Sequence, residues 1–210
     1  MIALVDYGAG NLTSVRKALT ACGAAFATPT SPAECAAASA LIVPGVGNFA
    51  ATSALTNEWR DAIGGAVRRG TPLLGICVGM QWLFEGSEEA PDVPGLGLVK
   101  GRIARLANNA AQRLKVPHVG WNALEFRPST PLGAGRSRLL AGLPSGSQVY
   151  FTHSYAAPVT PECAAATTHA NTFASAVERD NVFGVQFHPE KSGDAGLQIL
   201  RNFLALVPEC

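Results

Sequence analysis

The sequence predicts an α/β fold with a mostly parallel central sheet flanked by helices and an antiparallel portion in the C-terminal half. In the first half, short continuous apolar runs alternate with segments of helical periodicity, which is typical of parallel strands covered on both faces. In the second half, strand-like segments follow one another directly. Such a change of pattern indicates antiparallel pairing late in the chain.

The elements follow in order. Strands are predicted over 2–5, 40–43 and 72–76. Helices are predicted from Leu12 up to Gly23, over 59–69 and over 80–84. Six later strands are predicted over 98–106, 121–126, 149–155, 164–169, 173–179 and 182–187. A hairpin turn is expected at Asp180-Asn181, a surface loop over 127–138, and a closing helix carrying Leu197, Leu200 and Leu204.

The composition excludes several classes of protein. Hydrophobic residues make up 48% of the 210 residues and charged residues 15%, the opposite of a disordered chain. The formal charge of +1 argues against a nucleic-acid partner. No apolar run approaches the ~18 residues of a membrane span, and the N-terminus has no basic leader. Because no linker divides the chain, we expect a single domain over 1–210. The cysteine pattern, described next, indicates the cytoplasm.

The cysteine pattern points in the same direction. The five cysteines are odd in number, scattered and never arranged as Cys-x-x-Cys: Cys22, Cys35, Cys77, Cys163 and Cys210. Such a pattern is neither a disulfide framework nor a zinc site. We therefore expect a reduced protein with no metal and no cofactor, and ask whether one thiol is a nucleophile.

The strongest local signal is the segment GICVG at 75–79, between a predicted strand and a predicted helix. This is the context of a nucleophile elbow, with Cys77 in place of serine. The glycines leave room for neighbouring elements, and the helix N-terminus favours the thiolate. The backbone N–H of Val78 is then placed to hold an oxyanion. The alternative is a buried structural cysteine, which we prefer for the other four.

A base and its orienting group are predicted from the segment FHPE at 187–190. Of the four histidines, only His188 has a suitably spaced carboxylate, that of Glu190. Pro189 favours extended backbone at His188, and residues two apart in an extended segment point the same way. We expect His188 to accept the thiol proton while Glu190 fixes its tautomer. Taken alone, the motif would be an ordinary turn at a strand end.

A second oxyanion donor is sought in the segment PGVG at 44–47, which follows the second predicted strand. Loops at the carboxyl ends of parallel strands share one edge of the sheet, where ligands bind. Two glycines leave backbone N–H groups free to face a small anion. A tight loop without such a role is the alternative for an isolated motif of this kind.

Taken together, these motifs resemble those of the class I (triad-type) glutamine amidotransferases, and within them the glutaminase (HisH-type) subunits of imidazole glycerol phosphate synthase. Three segments indicate the superfamily: PGVG at 44–47, GICVGMQ at 75–81 and FHPEKS at 187–192. Three further segments indicate the subunit: DYGAGN at 6–11, PHVGWN at 117–122 and YFTHSY at 150–155. The resemblance covers nearly the whole chain and implies a class I glutamine amidotransferase-like fold.

The resemblance implies a reaction. Cys77 attacks the side-chain amide of L-glutamine, His188 moves the proton, and Glu190 orients His188. Water then releases glutamate from the thioester. Gly47 and Val78 would surround the oxyanion. Family positions around the glutamine correspond to Gln81, Glu89, Ser154 and Tyr155. The plain alternatives are a first-turn helix residue for Gln81 and a solvated loop carboxylate for Glu89.

A partner is also implied by the resemblance. A HisF-type cyclase subunit, a (β/α)₈ barrel, would form a heterodimer with this chain and receive its ammonia. The cyclase would make imidazole glycerol phosphate and an aminoimidazole carboxamide ribonucleotide in histidine biosynthesis. Interface positions correspond to Asn11, Trp121, Asn122 and Lys191. For Trp121, a core aromatic is an equally good interpretation.

Three other functions remain open from the sequence. They are a glutaminase subunit of another synthase, a stand-alone γ-glutamyl cysteine hydrolase, and a non-catalytic scaffold. The Gly-Trp-Asn and Lys-Ser features disfavour the first, and rapid turnover without a partner would favour the second. The three intact residues Cys77, His188 and Glu190 argue against the third.

Overall fold

A computed structural model describes residues 1–108, 114–127 and 137–207. The strands in the first half are β1 (Ile2–Leu4), β2 (Phe26–Ala27), β3 (Ala40–Val43), β4 (Leu73–Ile76), β5 (Gly86–Ser87), β6 (Ala90–Pro94) and β7 (Arg102–Arg105). Those in the second half are β8 (His118–Ala123), β9 (Glu125–Phe126), β10 (Gln148–His153), β11 (Tyr155–Ala156), β12 (Cys163–His169), β13 (Asn171–Arg179) and β14 (Val182–Val185). The helices are α1 (Leu12–Ala21), α2 (Pro32–Ala36), α3 (Asn57–Arg68), α4 (Val78–Trp82) and α5 (Gly193–Leu204). Two 3₁₀ segments are Phe49–Ala54 and Pro189–Lys191.

The central sheet has eight strands in the order β2-β1-β3-β4-β14-β13-β12-β9. The first five are mutually parallel, and β13, β12 and β9 continue the sheet in antiparallel pairings. This arrangement confirms the predicted α/β class with its late antiparallel portion. The hairpin turn expected between β13 and β14 is also present, with Asp180 at φ 52°.

Not all strands of the second half join the central sheet. Strands β8 and β10 form a separate antiparallel ribbon, and β11, β7, β5 and β6 form a third sheet. The expectation of one mixed sheet was therefore too simple. Strand periodicity shows that a segment is extended but does not say which partner it pairs with, because pairing depends on contacts distant in sequence.

Two buried apolar layers hold the helices on the sheet. On one face, Val15 and Leu19 of α1 pack with Leu200 and Phe203 of α5 over the central strands. On the other face, α3 packs chiefly through Ile63. Of the closing-helix residues named from the sequence, Leu200 is buried, and Leu197 and Leu204 pack partly buried against the same layer.

Several boundaries differ from the predictions. Helix α2, strand β2, strands β5 and β6, and the 3₁₀ segment Phe49–Ala54 were not predicted, and they are too short to show a periodicity. Helix α4 begins at Val78 rather than residue 80, and β14 ends at Val185 rather than residue 187. Most of the predicted 127–138 loop, residues 128–136, lies outside the described residues, as does Cys210. Within the described ranges, no helix is long and apolar enough to cross a membrane.

Candidate active site

Cys77 lies at a sharp turn between β4 and α4. Its backbone is at φ 54° and ψ −111°, a conformation that side-chain-bearing residues rarely adopt. The Cys77 N–H donates to the carbonyl of Val185 at 2.8 Å, which ties the turn to β14. Backbone strain of this kind persists only where the surrounding structure enforces it, and it is concentrated at functional sites.

The two glycines that flank the turn are required by close packing. A Cβ atom on Gly75 would lie 2.6 Å from the carbonyl oxygen of Gly79. A Cβ atom on Gly79 would overlap the carbonyl oxygen of Val43 at the end of β3. Any larger residue would push α4 away from the strands, so both glycines fix the position of the Cys77 side chain. The room that the sequence predicted here is thus needed for backbone atoms.

His188 reaches the same edge of the sheet because β14 pairs in parallel with β4, with Val185 opposite Ile76. Its Nδ1 lies 2.8 Å from Oε1 of Glu190, and both side chains are almost completely buried. His188 itself is extended, as expected, with φ −101° and ψ 97°, but the extended segment does not continue to Glu190. Glu190 lies instead in the 3₁₀ turn Pro189–Lys191. Proline at the first position of that turn starts it directly after His188, and the turn brings the carboxylate back to the ring.

The electrostatics of His188 reflect two opposing effects. Burial lowers the pKa of His188, but the neighbouring Cys77 and Glu190 side chains outweigh it and raise the pKa to about 10. The Nε2 atom is buried without a hydrogen bond of normal geometry. Because Glu190 occupies Nδ1, Nε2 is the ring atom left to exchange a proton with a neighbouring group.

A cleft of about 230 Å³ opens beside Cys77. The residues lining it include both predicted oxyanion residues and all four predicted glutamine residues; the full lining is Gly47, Cys77, Val78, Gln81, Glu89, Pro117, Thr152, His153, Ser154 and Tyr155. The structure therefore brings together residues spread over more than a hundred positions of sequence. A volume below the ~300–1,000 Å³ of drug-sized pockets suits a small substrate.

Two of these side chains are held by the protein itself. Glu89 accepts a hydrogen bond from the backbone N–H of Phe49 at 2.8 Å, so it is not a free loop carboxylate. Gln81 donates through Nε2 to the carbonyl of Tyr155 at 2.9 Å and to Oε1 of Gln186 at 3.1 Å. Because both N–H bonds are used, only the Gln81 carbonyl oxygen remains available to a ligand.

Gln186 is a site residue that the sequence analysis missed. It is completely buried, and its Nε2 donates to Sγ of Cys77 at 3.7 Å. A signal was present, because a glutamine interrupts the apolar run from Val182 to Phe187. A polar side chain in a buried strand needs a buried partner, and here the partner is the thiol.

The predicted interface residues have mixed surroundings. Trp121 is 56% exposed on β8, so the alternative of a core aromatic is wrong. It meets the Tyr150 ring edge-on with centroids 6.1 Å apart, and Lys191 Nζ lies 5.9 Å from the same ring. Asn11 caps α1 by accepting from the Ser14 N–H. Asn122 has three side-chain hydrogen bonds, to His118, to Thr168 and to Ala123.

Three of the described thiols, those of Cys22, Cys35 and Cys163, lie outside the cleft. Cys22, Cys35, Cys77 and Cys163 are free thiols. Burial raises the pKa of Cys35 to about 12 and that of Cys163 to about 11, which keeps these two protonated and unreactive. Across the described part of the chain, no group of three or more His, Cys, Asp or Glu residues could hold a metal ion.

Comparison with known proteins identifies the family. The sequence profile described as glutamine amidotransferase class-I matches residues 3–207. A protein of Thermosynechococcus vestitus named imidazole glycerol phosphate synthase subunit HisH is 46% identical, over 99% of this chain and 98% of its own length. A protein of the same name from Moorella thermoacetica is 45% identical, over 98% of this chain and 95% of its own length. The chain belongs to the HisH family of class-I glutamine amidotransferases. A HisH protein of Thermococcus kodakarensis is 43% identical over 98% of the chain and all of its own length.

Membership of the HisH family confirms that the chain is an enzyme of the glutaminase type. Solved structures support the fold assignment. A crystal structure of a glutamine amidotransferase has a TM-score of 0.73 at 19% identity and covers 99% of both chains. A chain of the PurLQS structure from Thermotoga maritima has a TM-score of 0.70 at 17% identity, covering 99% of this chain and 98% of its own length. The HisH fold is thus shared with relatives of distant sequence.

Proposed function

We propose that this chain is the glutaminase subunit of an imidazole glycerol phosphate synthase and uses Cys77, His188 and Glu190 as its catalytic triad. It hydrolyses L-glutamine and supplies the ammonia to a cyclase subunit in histidine biosynthesis. One observation carries the catalytic part: a cysteine held in a strained elbow at the sheet edge that carries a buried His–Glu pair. The HisH names of the relatives support the pathway.

The first half of the reaction forms a thioester. Sγ of Cys77 attacks the side-chain carbonyl carbon of glutamine, and the thiol proton passes to Nε2 of His188. Negative charge develops on the carbonyl oxygen, where the backbone N–H groups of Gly47 and Val78 stabilise it. His188 then gives its proton to the departing nitrogen, the C–N bond breaks, and ammonia leaves. Glu190 stabilises the imidazolium throughout through its bond to Nδ1.

The second half consumes one water molecule. His188, now neutral, takes a proton from water while the hydroxyl oxygen adds to the thioester carbonyl. The C–S bond breaks, glutamate leaves, and the proton on His188 restores the starting state. These steps need no metal and no cofactor, since the leaving group and the nucleophile are both served by one imidazole.

Recognition of glutamine uses the opposite wall of the cleft. Glu89 supplies a carboxylate to the α-ammonium group, and the Gln81 carbonyl oxygen accepts from the substrate. Ser154 and Tyr155 supply the segment along which the substrate lies. Since Glu89 is held by the Phe49 N–H, the cleft is charged and shaped before the substrate arrives.

The ammonia is used by a partner. We place a HisF-type cyclase, a (β/α)₈ barrel, against the face that carries Trp121, with Asn11, Asn122 and Lys191 near the contact. An exposed tryptophan beside a tyrosine is typical of a protein interface, and Lys191 adds a charge next to them. The cyclase would convert the ammonia into imidazole glycerol phosphate and an aminoimidazole carboxamide ribonucleotide.

Two further parts of the proposal concern the chain as a whole. Residues 1–210 form one glutaminase domain, which the family match over 3–207 supports. The location is the cytoplasm, a prediction that rests on the scattered cysteines, of which the four described ones are free.

Glutamate release tests the function. The chain alone should release glutamate slowly. With its cyclase subunit and the nucleotide present, it should release glutamate rapidly. Cys77→Ala should abolish release, whereas Cys22→Ala, which changes a thiol at the end of α1, should retain it. Added hydroxylamine should trap the acyl group as γ-glutamyl hydroxamate only when Cys77 is present. Full turnover by Cys77→Ala would refute the nucleophile, and rapid turnover without the cyclase would favour a stand-alone hydrolase.

A further inference from the structure

A continuous chain of hydrogen bonds links the proposed partner face to the glutamine cleft. Asn122 Nδ2 lies 3.3 Å from Nε2 of His118, and His118 Nδ1 lies 3.1 Å from Nε2 of His153. His153 Nδ1 lies 2.9 Å from the carbonyl oxygen of Tyr155, which lines the cleft. Neither histidine has a role in the proposed chemistry. Two adjacent buried imidazoles therefore need an explanation of their own.

The direction of every hydrogen bond in this chain is fixed. The Tyr155 carbonyl can only accept, so His153 Nδ1 carries a hydrogen and, in a neutral ring, Nε2 has none. His118 must then donate from Nδ1, and its Nε2 accepts from the Asn122 amide. A proton added to either ring would place two N–H groups against each other. Burial accordingly lowers the pKa of His118 to about 4 and that of His153 to about 3.

The far end of the chain reaches the nucleophile. The Tyr155 carbonyl also accepts from Gln81 at 2.9 Å, and Gln81 donates to Gln186 at 3.1 Å. Gln186 in turn donates to Sγ of Cys77. The Tyr155 carbonyl is therefore shared by the imidazole pair and by the amides that hold the thiol. A displacement of that oxygen changes both the cleft wall and the surroundings of Cys77.

The near end of this hydrogen-bond chain lies beside the proposed partner face. His118 and His153 are directly opposite each other in the β8–β10 ribbon, which is separate from the eight-stranded sheet. The same ribbon carries the exposed Trp121, next to Asn122. A partner seated on Trp121 would press on the strand from which the hydrogen-bond chain starts.

We propose that His118 and His153 are positioning residues: a neutral imidazole pair that transmits the binding of the cyclase, from Asn122, to the Tyr155 carbonyl in the glutamine cleft. The inference rests on the proposed function, since it assumes that a partner binds at this face. Hydrogen bonds of fixed direction between buried rings are stiff, because each alternative leaves a buried polar atom unpaired. The pair therefore couples the two ends more strongly than apolar packing of the same shape would.

The chain offers a matched control. His169 stacks on His118 with ring centroids 4.1 Å apart, but among the described residues its Nε2 bonds to the Lys115 carbonyl alone. His169→Phe keeps the stacked ring and changes a residue outside the series of hydrogen bonds from Asn122 to Tyr155. His118→Phe keeps the ring shape but removes both bonds, and His118→Asn keeps a donor for His153 while losing the link to Asn122. These variants separate the hydrogen bonds from the packing of the aromatic cluster.

The experiment measures glutamate release with saturating cyclase and its nucleotide, and again without them, and compares the ratio of the two rates. His118→Phe should lower this ratio at least tenfold, because both hydrogen bonds of the ring are lost. His118→Asn and Asn122→Ala should lower it by equal amounts, and combining them should cause no further loss. His169→Phe should leave the ratio unchanged, and its effect should add independently to that of Asn122→Ala. Cyclase affinity and the melting temperature are measured for each variant.

Three outcomes decide the matter. A ratio within twofold of wild type for His118→Phe would overturn the relay. Independent, additive losses for His118→Asn and Asn122→Ala would do the same, and this pair keeps the test valid if His118→Phe does not fold. Absence of glutamate release by the unmodified complex would instead refute the proposed function, and the relay with it.

Discussion

The tight contact between Gly79 and β3 predicts that one added methyl group will disable the enzyme. In Gly79→Ala the new Cβ would overlap the Val43 carbonyl oxygen and lie 2.8 Å from the Val43 carbonyl carbon. Carbon and oxygen atoms need about 3.3 Å, so relieving the overlap with the oxygen requires α4 to move from β3 by roughly 1.5 Å. Both contacts are with backbone atoms, which cannot rotate away as a side chain can.

The magnitude follows from this displacement. Overpacking of a rigid site costs about 2 to 3 kcal/mol of unfolding free energy. Movement of a nucleophile by about 1 Å can lower the rate about 100-fold. Because Cys77 is held between β4 and α4, we expect both losses in the same variant.

The assays are urea unfolding and glutamate release in the presence of the cyclase. Gly65→Ala is the control, because Gly65 is also helical and its added Cβ would lie 3.4 Å from the Arg69 side chain, an ordinary contact. That variant should be more stable by about 0.5 to 1 kcal/mol, since alanine favours helix, and fully active. Equal stability and activity for Gly79→Ala and wild type would refute the packing argument.

Three further predictions concern buried titratable side chains. Glu190→Gln should lower glutamate release at least tenfold. In wild type, the stability that comes from the raised pKa of His188 is complete below about pH 6.5 and is lost as the pH rises to about 10. The decrease of unfolding free energy over this pH range should be weaker in the variant. Burial lowers the pKa of His153 to about 3, so below about pH 6.5 the unfolded chain binds a proton that the folded chain does not. The unfolding free energy should therefore fall between about pH 6.5 and about pH 3. The fall should be less steep in His153→Asn. Arg138→Met should lower the unfolding free energy, measured in urea, by about 2 kcal/mol. In wild type, Arg138 Nε lies 2.8 Å from the buried Glu178 carboxylate, and the variant leaves that carboxylate without a cation. No loss would show that the hydrogen bonds from Ser137 Oγ and the Leu139 N–H stabilise the carboxylate sufficiently.

The parts of the site that the sequence predicted are those encoded by local geometry. The elbow at Cys77 follows from glycines placed two residues to either side, and Pro189 marks the end of the strand before His188. The turn that carries Glu190 was not foreseen, because a proline allows either an extended segment or the start of a 3₁₀ turn. Contacts with the neighbouring chain choose between the two.

Other features depended on pairing between distant segments. Gln186 could be seen as a polar residue in an apolar strand, but only the β4–β14 pairing shows that it meets Cys77. His118 and His153 lie in two of the segments that carry the family resemblance, but nothing in the sequence shows that they meet. Their meeting requires the register of the β8–β10 ribbon, in which a shift of one residue would turn one of them to the opposite face.

The amino-acid sequence by itself determined the α/β class and the nucleophile elbow, since these follow from periodicity and from residues that are close along the chain, and its motifs carried the resemblance that named the candidate triad. Only the tertiary structure decided which strands leave the central sheet, where Trp121 lies, and how Asn122 connects to Tyr155. The physical reason is that strand pairing and burial are set by the free energy of many simultaneous long-range contacts. No short segment carries that information on its own.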